Sequence, residues 1–214
     1  MNDKILDCSD LDKYLGKPIA PARMKEALHN NDFRRWVQAM HYANLLHYDH
    51  DFAAAGRYRR LVAPQSFAVG TDDGHGAGPA CVAFIPDSHL IFGGDEWWFY
   101  GPRIFGGDQI TNEKIPFDYA VKETSFAGPT CFQRGDNNYY NQHGDYIARQ
   151  RSTSIRYRRD LAVEMGALDA TEDPHWTAEE LKALETKKYE FIKMMHALGH
   201  GKRYWEDVKV ADDL

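Results

Sequence analysis

A chain of 214 residues, 43% apolar and 27% charged, is long enough to bury a core without a metal or disulfide to hold it together. Its formal net charge of −6 and the lack of a basic run at either end argue against nucleic acid as a partner, since phosphate binding needs clustered Lys and Arg. Three cysteines without a CxxC fit a reducing compartment, no signal-peptide core opens the chain, and no apolar run approaches the roughly 20 residues that cross a bilayer. The expectation is a cytoplasmic protein with no membrane partner.

The first region, residues 1–30, carries a turn at Gly16-Lys17-Pro18. From Asp32 to about Phe67 the chain reads as helical: Asp32 is placed to cap, and Phe33, Trp36, Val37 and Met40 recur at helical spacing. A second helical piece, residues 49–55, ends at Gly56 as a C-terminal stop. From about Val82 to Arg158 the pattern turns to strands punctuated by glycine. His89 to Tyr100 is one strand, interrupted at Gly93-Gly94, and Gln109 to Thr124 is another at period two. Thr130 to Tyr140 and Tyr146 to Tyr157 should pair across Asn141-Gln142-His143-Gly144-Asp145. Arg149, Arg151, Arg156, Arg158 and Arg159 then read as the solvated outer face of a strand. After Asp173-Pro174, Thr177 with Glu180 forms a capping-box pattern, and Leu181, Leu184, Ile192, Met195 and Leu198 make an apolar stripe that ends at Gly199. That stripe must be buried on its own domain or on a partner. Helices followed by a run of antiparallel strands predict an α+β fold.

The densest chemically capable cluster runs from His41 to Asp51, with His41, Asn44, His47, Asp49, His50 and Asp51. Such a set suits acid–base work near neutral pH, and it equally suits ordinary surface or core histidines. As a metal site it lacks HExxH, and several of its positions point apart on a helix, so no metal and no cofactor is expected. Gly74 to Gly78 and Gly106-Gly107-Asp108 match no phosphate-binding fingerprint and read as loops. Ser66 is not in GxSxG, so a hydrolase triad has no support.

The stretch NLLHYDHDFAAAGRYRRLVAPQSF resembles the signature of the MaoC-like (R)-specific enoyl-CoA hydratases and dehydratases, roughly GDxNPxHxDxxxA followed by a glycine and IAPPxF or IAHG. Asn44, His47, Asp49, Ala53 or Ala54, Gly56, Val62, Ala63, Pro64 and Phe67 fall on its positions. GGDEWWFYGPRIFGGDQI is similar to the family's glycine-glycine strand and Gly-Asp pair, and NQHGDYIARQRSTSIRYR to its last two strands. The likeness covers about residues 10–160 and lies nearest the FAS1-like dehydratase branch, the N-terminal half of double hotdogs. It implies a hotdog, an antiparallel sheet wrapped around a central helix, over residues 1–160. Residues 161–214 would form a long C-terminal helical extension and tail.

The same resemblance implies His47, Asn44 and Tyr42 as catalytic positions, and Ala63, Pro64, Gly93 and Gly94 as substrate-binding ones. One departure is plain: catalytic members carry an aspartate five residues before the histidine, and here that position is Tyr42. A phenol is a poor general base at neutral pH. Near the C-terminus, RYWEDVKV resembles the phrase that opens the second hotdog of fused members, and the sequence stops at Leu214. The expectation is an acyl-CoA-binding half of an enoyl-CoA hydratase, completed by a second hotdog subunit in a heterodimer or heterotetramer. Phe33, Trp36, Phe67, Trp97, Trp98 and Phe99 would line the acyl pocket or the core. A self-sufficient hydratase using His47, a non-enzymatic acyl-binding scaffold and an acyl-CoA thioesterase are the alternatives.

Overall fold

The computed structural model describes residues 5–71, 77–167 and 174–199, together with Glu206. The chain forms two compact units, a sheet unit of residues 1–30 and 63–172 and a helical unit of residues 31–62 and 173–214.

The sheet unit is a five-stranded antiparallel sheet of β1 (Ile19–Arg23), β2 (Ser88–Phe99), β3 (Thr111–Thr124), β4 (Gly128–Tyr140) and β5 (Tyr146–Arg158), ordered β1-β3-β4-β5-β2. The β4–β5 hairpin closes where the turn residues predict. The Asn141 side-chain oxygen accepts from the N–H groups of His143 and Asp145 at 2.9 and 3.0 Å, an Asx turn that fixes the register. Strand β2 is continuous rather than interrupted. Gly93 is an extra residue between Phe92, paired with Ser154, and Gly94, paired with Thr153, so the glycine pair forms a β-bulge.

Period two sorts the sheet into faces. On β4 the positions Cys131, Gln133, Gly135, Asn137 and Tyr139 are buried, and their β5 partners Arg156, Ser154, Ser152, Gln150 and Ala148 are buried with them. The segment around Gly78–Ala80, a single 3₁₀ turn, covers this face. A β-carbon on Gly135 would lie 2.3 Å from the Pro79 carbonyl carbon, so only glycine lets the turn approach so closely. Leu6, Cys8, Leu11, Ile85 and Cys131 form an apolar core at one end. Elsewhere the buried face is polar, and its side chains answer one another across strands. Asn112 donates to Asn137 and Asn137 to Gln150, each at 3.2 Å, and Gln150 donates to Asp95 at 2.7 Å.

The arginine-rich stretch of β5 is not one solvated face. Arg149 and Arg151 point to the opposite side from Arg156, which is buried and donates to the carbonyls of Cys81 and Val82. Arg151 forms a two-pronged pair with Asp136 at 2.7 and 2.8 Å and lies 3.4 Å above the Phe117 ring, while Arg149 sits 4.3 Å over Trp98. Strand alternation separates odd from even arginines, and neighbouring carboxylates and rings absorb their charge.

In the helical unit, α1 spans Asn30–Ala39, α2 spans His50–Ala55 and α4 spans Ala178–Gly199; a short α3, Arg159–Glu164, follows β5 in the sheet unit. Helix α1 starts two residues before Asp32, which therefore lies in its first turn, favourable to the helix dipole, and does not cap it. Phe33 and Val37, four residues apart, are its buried pair. Gly56 follows α2 with φ −82°, so the helix stops without a left-handed residue. At α4 the capping box forms as predicted: the Thr177 N–H donates to Glu180 at 2.8 Å and the Glu180 N–H to the Thr177 hydroxyl at 3.2 Å. Most of the apolar stripe on α4 remains exposed, Leu181 at 54% and Leu184 at 48%, with Ile192 and Met195 half-buried. The RYWEDVKV phrase, apart from Glu206, lies outside the described residues, as do Gly74, His75 and Gly76.

Candidate active site

The motif residues are arranged by local hydrogen bonds. Asn44 precedes a 3₁₀ turn, Leu45–His47, and its side-chain oxygen accepts from the Leu46 N–H at 3.0 Å. Asp49 precedes α2 and accepts from the Phe52 N–H at 2.8 Å, satisfying one of the N–H groups that a helix start leaves open. Both side chains are thus engaged as caps, which accounts for an Asn and an Asp five residues apart here.

His47 is different. It is half-buried, and its Nδ1 lies 2.7 Å from the carbonyl oxygen of Val62, fifteen residues on. A carbonyl only accepts, so Nδ1 carries the proton and donates, and Nε2 keeps its lone pair. Burial pushes the imidazole pKa below its ordinary value, opposed by this bond to Val62. The ring is therefore a neutral, oriented base at pH 7. Among the described residues no carboxylate pairs with the ring; desolvation and the Val62 carbonyl set the direction of its titration. Tyr42, at the position of the family aspartate, presents its ring edge-on to His47, with ring centres 6.0 Å apart and planes at 67°. Tyr48 turns away to the Ala43 carbonyl at 3.2 Å, and burial raises its phenol pKa.

The remaining expected positions lie in the sheet unit. Ala63 and Pro64 are buried; the Ala63 N–H donates to Ile104 at 2.9 Å, Pro64 has no N–H, and its carbonyl accepts from Phe67 at 2.9 Å. Gly93 and Gly94 serve the backbone. A β-carbon on Gly93 would be 2.9 Å from Ile155, and Gly94 has φ +139°. Of the six aromatic residues expected in a pocket or core, Phe33 and Phe67 are core, Trp36 is half-buried on α1, Trp97 stacks on Phe99 and Tyr139, and Trp98 lies under Arg149. The structure brings Tyr42 and His47 together within one unit, with Asn44 beside them in sequence as a cap. Val62 falls on the signature, but its bond to His47 does not show in the sequence, because the contribution is a backbone carbonyl and leaves no side-chain signal. Among the described residues no group of three or more His, Cys, Asp or Glu is placed to hold a metal, and no helix is long and apolar enough to cross a membrane.

An antiparallel sheet with this strand order defines the α+β hotdog class, here with a long C-terminal helix. The sequence profile described as the FAS1-like dehydratase domain region matches residues 14–150, and the chain belongs to that family. Among solved structures, a chain of the ChsH1-ChsH2 complex from Mycobacterium tuberculosis is 16% identical, with a TM-score of 0.56 over 71% of this chain and 93% of that one. A MaoC-like dehydratase is 17% identical with a TM-score of 0.50; the match covers 78% of this chain and 51% of that one. The unliganded R-hydratase PhaJ1 from Pseudomonas aeruginosa is 15% identical, with a TM-score of 0.47 over 76% and 91% of the two chains. No curated protein matches the sequence.

Proposed function

We propose that this chain is the substrate-binding half of a MaoC-type enoyl-CoA hydratase (in reverse, a 3-hydroxyacyl-CoA dehydratase), working with a second hotdog subunit that carries the acid–base pair. Water adds to the double bond of a 2-enoyl thioester: a base takes a proton from the water as its oxygen bonds to the β-carbon, and an acid delivers a proton to the α-carbon. The observation that carries the reading is the isolation of His47. Among the described residues its one hydrogen bond is to the Val62 carbonyl, while Asn44 and Asp49 are used as caps and the Tyr42 ring occupies the carboxylate's place. One base without a carboxylate fills half of the chemical requirement. The match to only about half of a MaoC-like dehydratase chain, and the similarity to a chain from a two-component complex, agree with a paired assembly.

A self-sufficient hydratase is the second reading, favoured by the free Nε2 of an oriented, neutral His47. Reconstitution with a catalytic hotdog subunit separates the two. The paired reading expects turnover of a medium-chain 2-enoyl-CoA only in the mixture, and unchanged turnover when His47→Ala is placed in this chain. A complex that loses its hydration with His47→Ala would put the chemistry here. Release of free CoA from a saturated acyl-CoA would indicate a thioesterase instead.

A further inference from the structure

The helical unit holds a cavity of about 440 Å³ between α1, the turn that follows it and the C-terminal half of α4. Arg34, His41 and His196 bring nitrogen groups to it, and Val37, Tyr42 and Tyr48 give it an apolar and aromatic wall. None of the described residues that line it is acidic, in a chain whose net charge is −6. Arg34 donates to two neutral amides, Asn31 at 3.3 Å and Gln38 at 3.2 Å, and has no ion pair among the described residues. These bonds aim the guanidinium without neutralising it.

His41 is held in an unfavourable backbone conformation. It follows the end of α1 at φ +54°, its N–H donating to Gln38 at 3.3 Å while the Tyr42 N–H donates to Val37 at 3.0 Å. This is a helix stop that glycine fills most easily, because left-handed backbone burdens any residue with a β-carbon. An imidazole kept at such a position, lining the same cavity as an arginine with no carboxylate, points to a use for its side chain.

We propose that this cavity binds a small organic oxyanion, a carboxylate or a phosphate, whose apolar or aromatic body lies against Tyr42 and Tyr48. The guanidinium presents paired N–H groups that match an oxyanion, and the imidazoles add single donors. His196 completes the site from α4, so the long helix contributes to binding as well as extending the fold. The proposal stands on the helical unit alone and does not depend on the hydratase reading.

Calorimetric titration of the full chain tests it with two matched pairs of probes: phenylacetate against phenylacetamide, and 4′-phosphopantetheine against pantetheine. At least one anion should bind about tenfold or more tightly than its neutral counterpart, and which one does so identifies carboxylate or phosphate as the group recognised. Arg34→Gln and His41→Gly should each weaken that anion by about tenfold, while His41→Gly leaves the melting temperature unchanged or raises it. Equal binding of both anions and their neutral counterparts would overturn the proposal. So would affinities that Arg34→Gln and His41→Gly leave unchanged in chains that remain folded.

Discussion

Polar side chains in the sheet unit reach across strands, whereas those of the helical unit's motif reach only a few residues along the chain. Asn112, Asn137, Gln150 and Asp95 are linked over sequence separations of 13 to 55 residues, and Arg151 finds Asp136 fifteen residues away. Asn44 and Asp49 stop at the second and third residues beyond themselves. His47 makes a longer connection, to Val62. The contrast separates two uses of the same residue types. Cross-strand polar groups specify the fold, local ones cap helices, and the group left for chemistry is the one whose remaining lone pair neither use consumes.

The two regions should respond differently to substitution. The largest loss is expected for Asp136→Ala, which leaves Arg151 without its carboxylate at side-chain exposures of only 13% and 11%. Removing one partner of so buried a pair costs about 3–5 kcal/mol, readable as a lower urea midpoint. Next comes Gly135→Ala, whose methyl would meet the Pro79 and Ala80 backbone at 2.3 and 2.5 Å. Backbone cannot rotate aside, so overpacking of about 1–3 kcal/mol follows. Asp49→Ala should cost about 1 kcal/mol, the worth of a helix cap. A loss as large as that of Asp136→Ala would mean that Asp49 does more than cap.

The smallest effect concerns pH. Burial holds the His47 pKa below its ordinary value, so the unfolded chain takes up the proton more readily than the folded one. Its stabilising contribution is complete above the ordinary histidine range and is lost as pH falls through it toward the lowered value. Urea midpoints should therefore decline between pH 7 and pH 5, and His47→Gln should make that decline shallower. An identical decline in the variant would place the titration elsewhere.

The strands were legible because period two and turn residues are local signals, and the Thr177–Glu180 box because a cap needs only neighbours. The polarity of the buried sheet face was not, since Asn137 and Gln150 are satisfied only by strands that tertiary pairing brings together. Arg156 went astray for the same reason: alternation sets it on the face opposite Arg149 and Arg151, but composition does not say which face is covered. The motif identified His47, and the replacement of aspartate by Tyr42 was visible at once. The proton on Nδ1 was not, because a backbone carbonyl orients it.

Among the described residues His47 has no carboxylate partner, and hydration of a medium-chain 2-enoyl-CoA by the purified chain alone, followed as loss of enoyl absorbance, shows whether the chemistry needs a second subunit. No turnover is expected until the second hotdog subunit is added. Turnover by the chain alone that disappears in His47→Ala would contradict the paired reading.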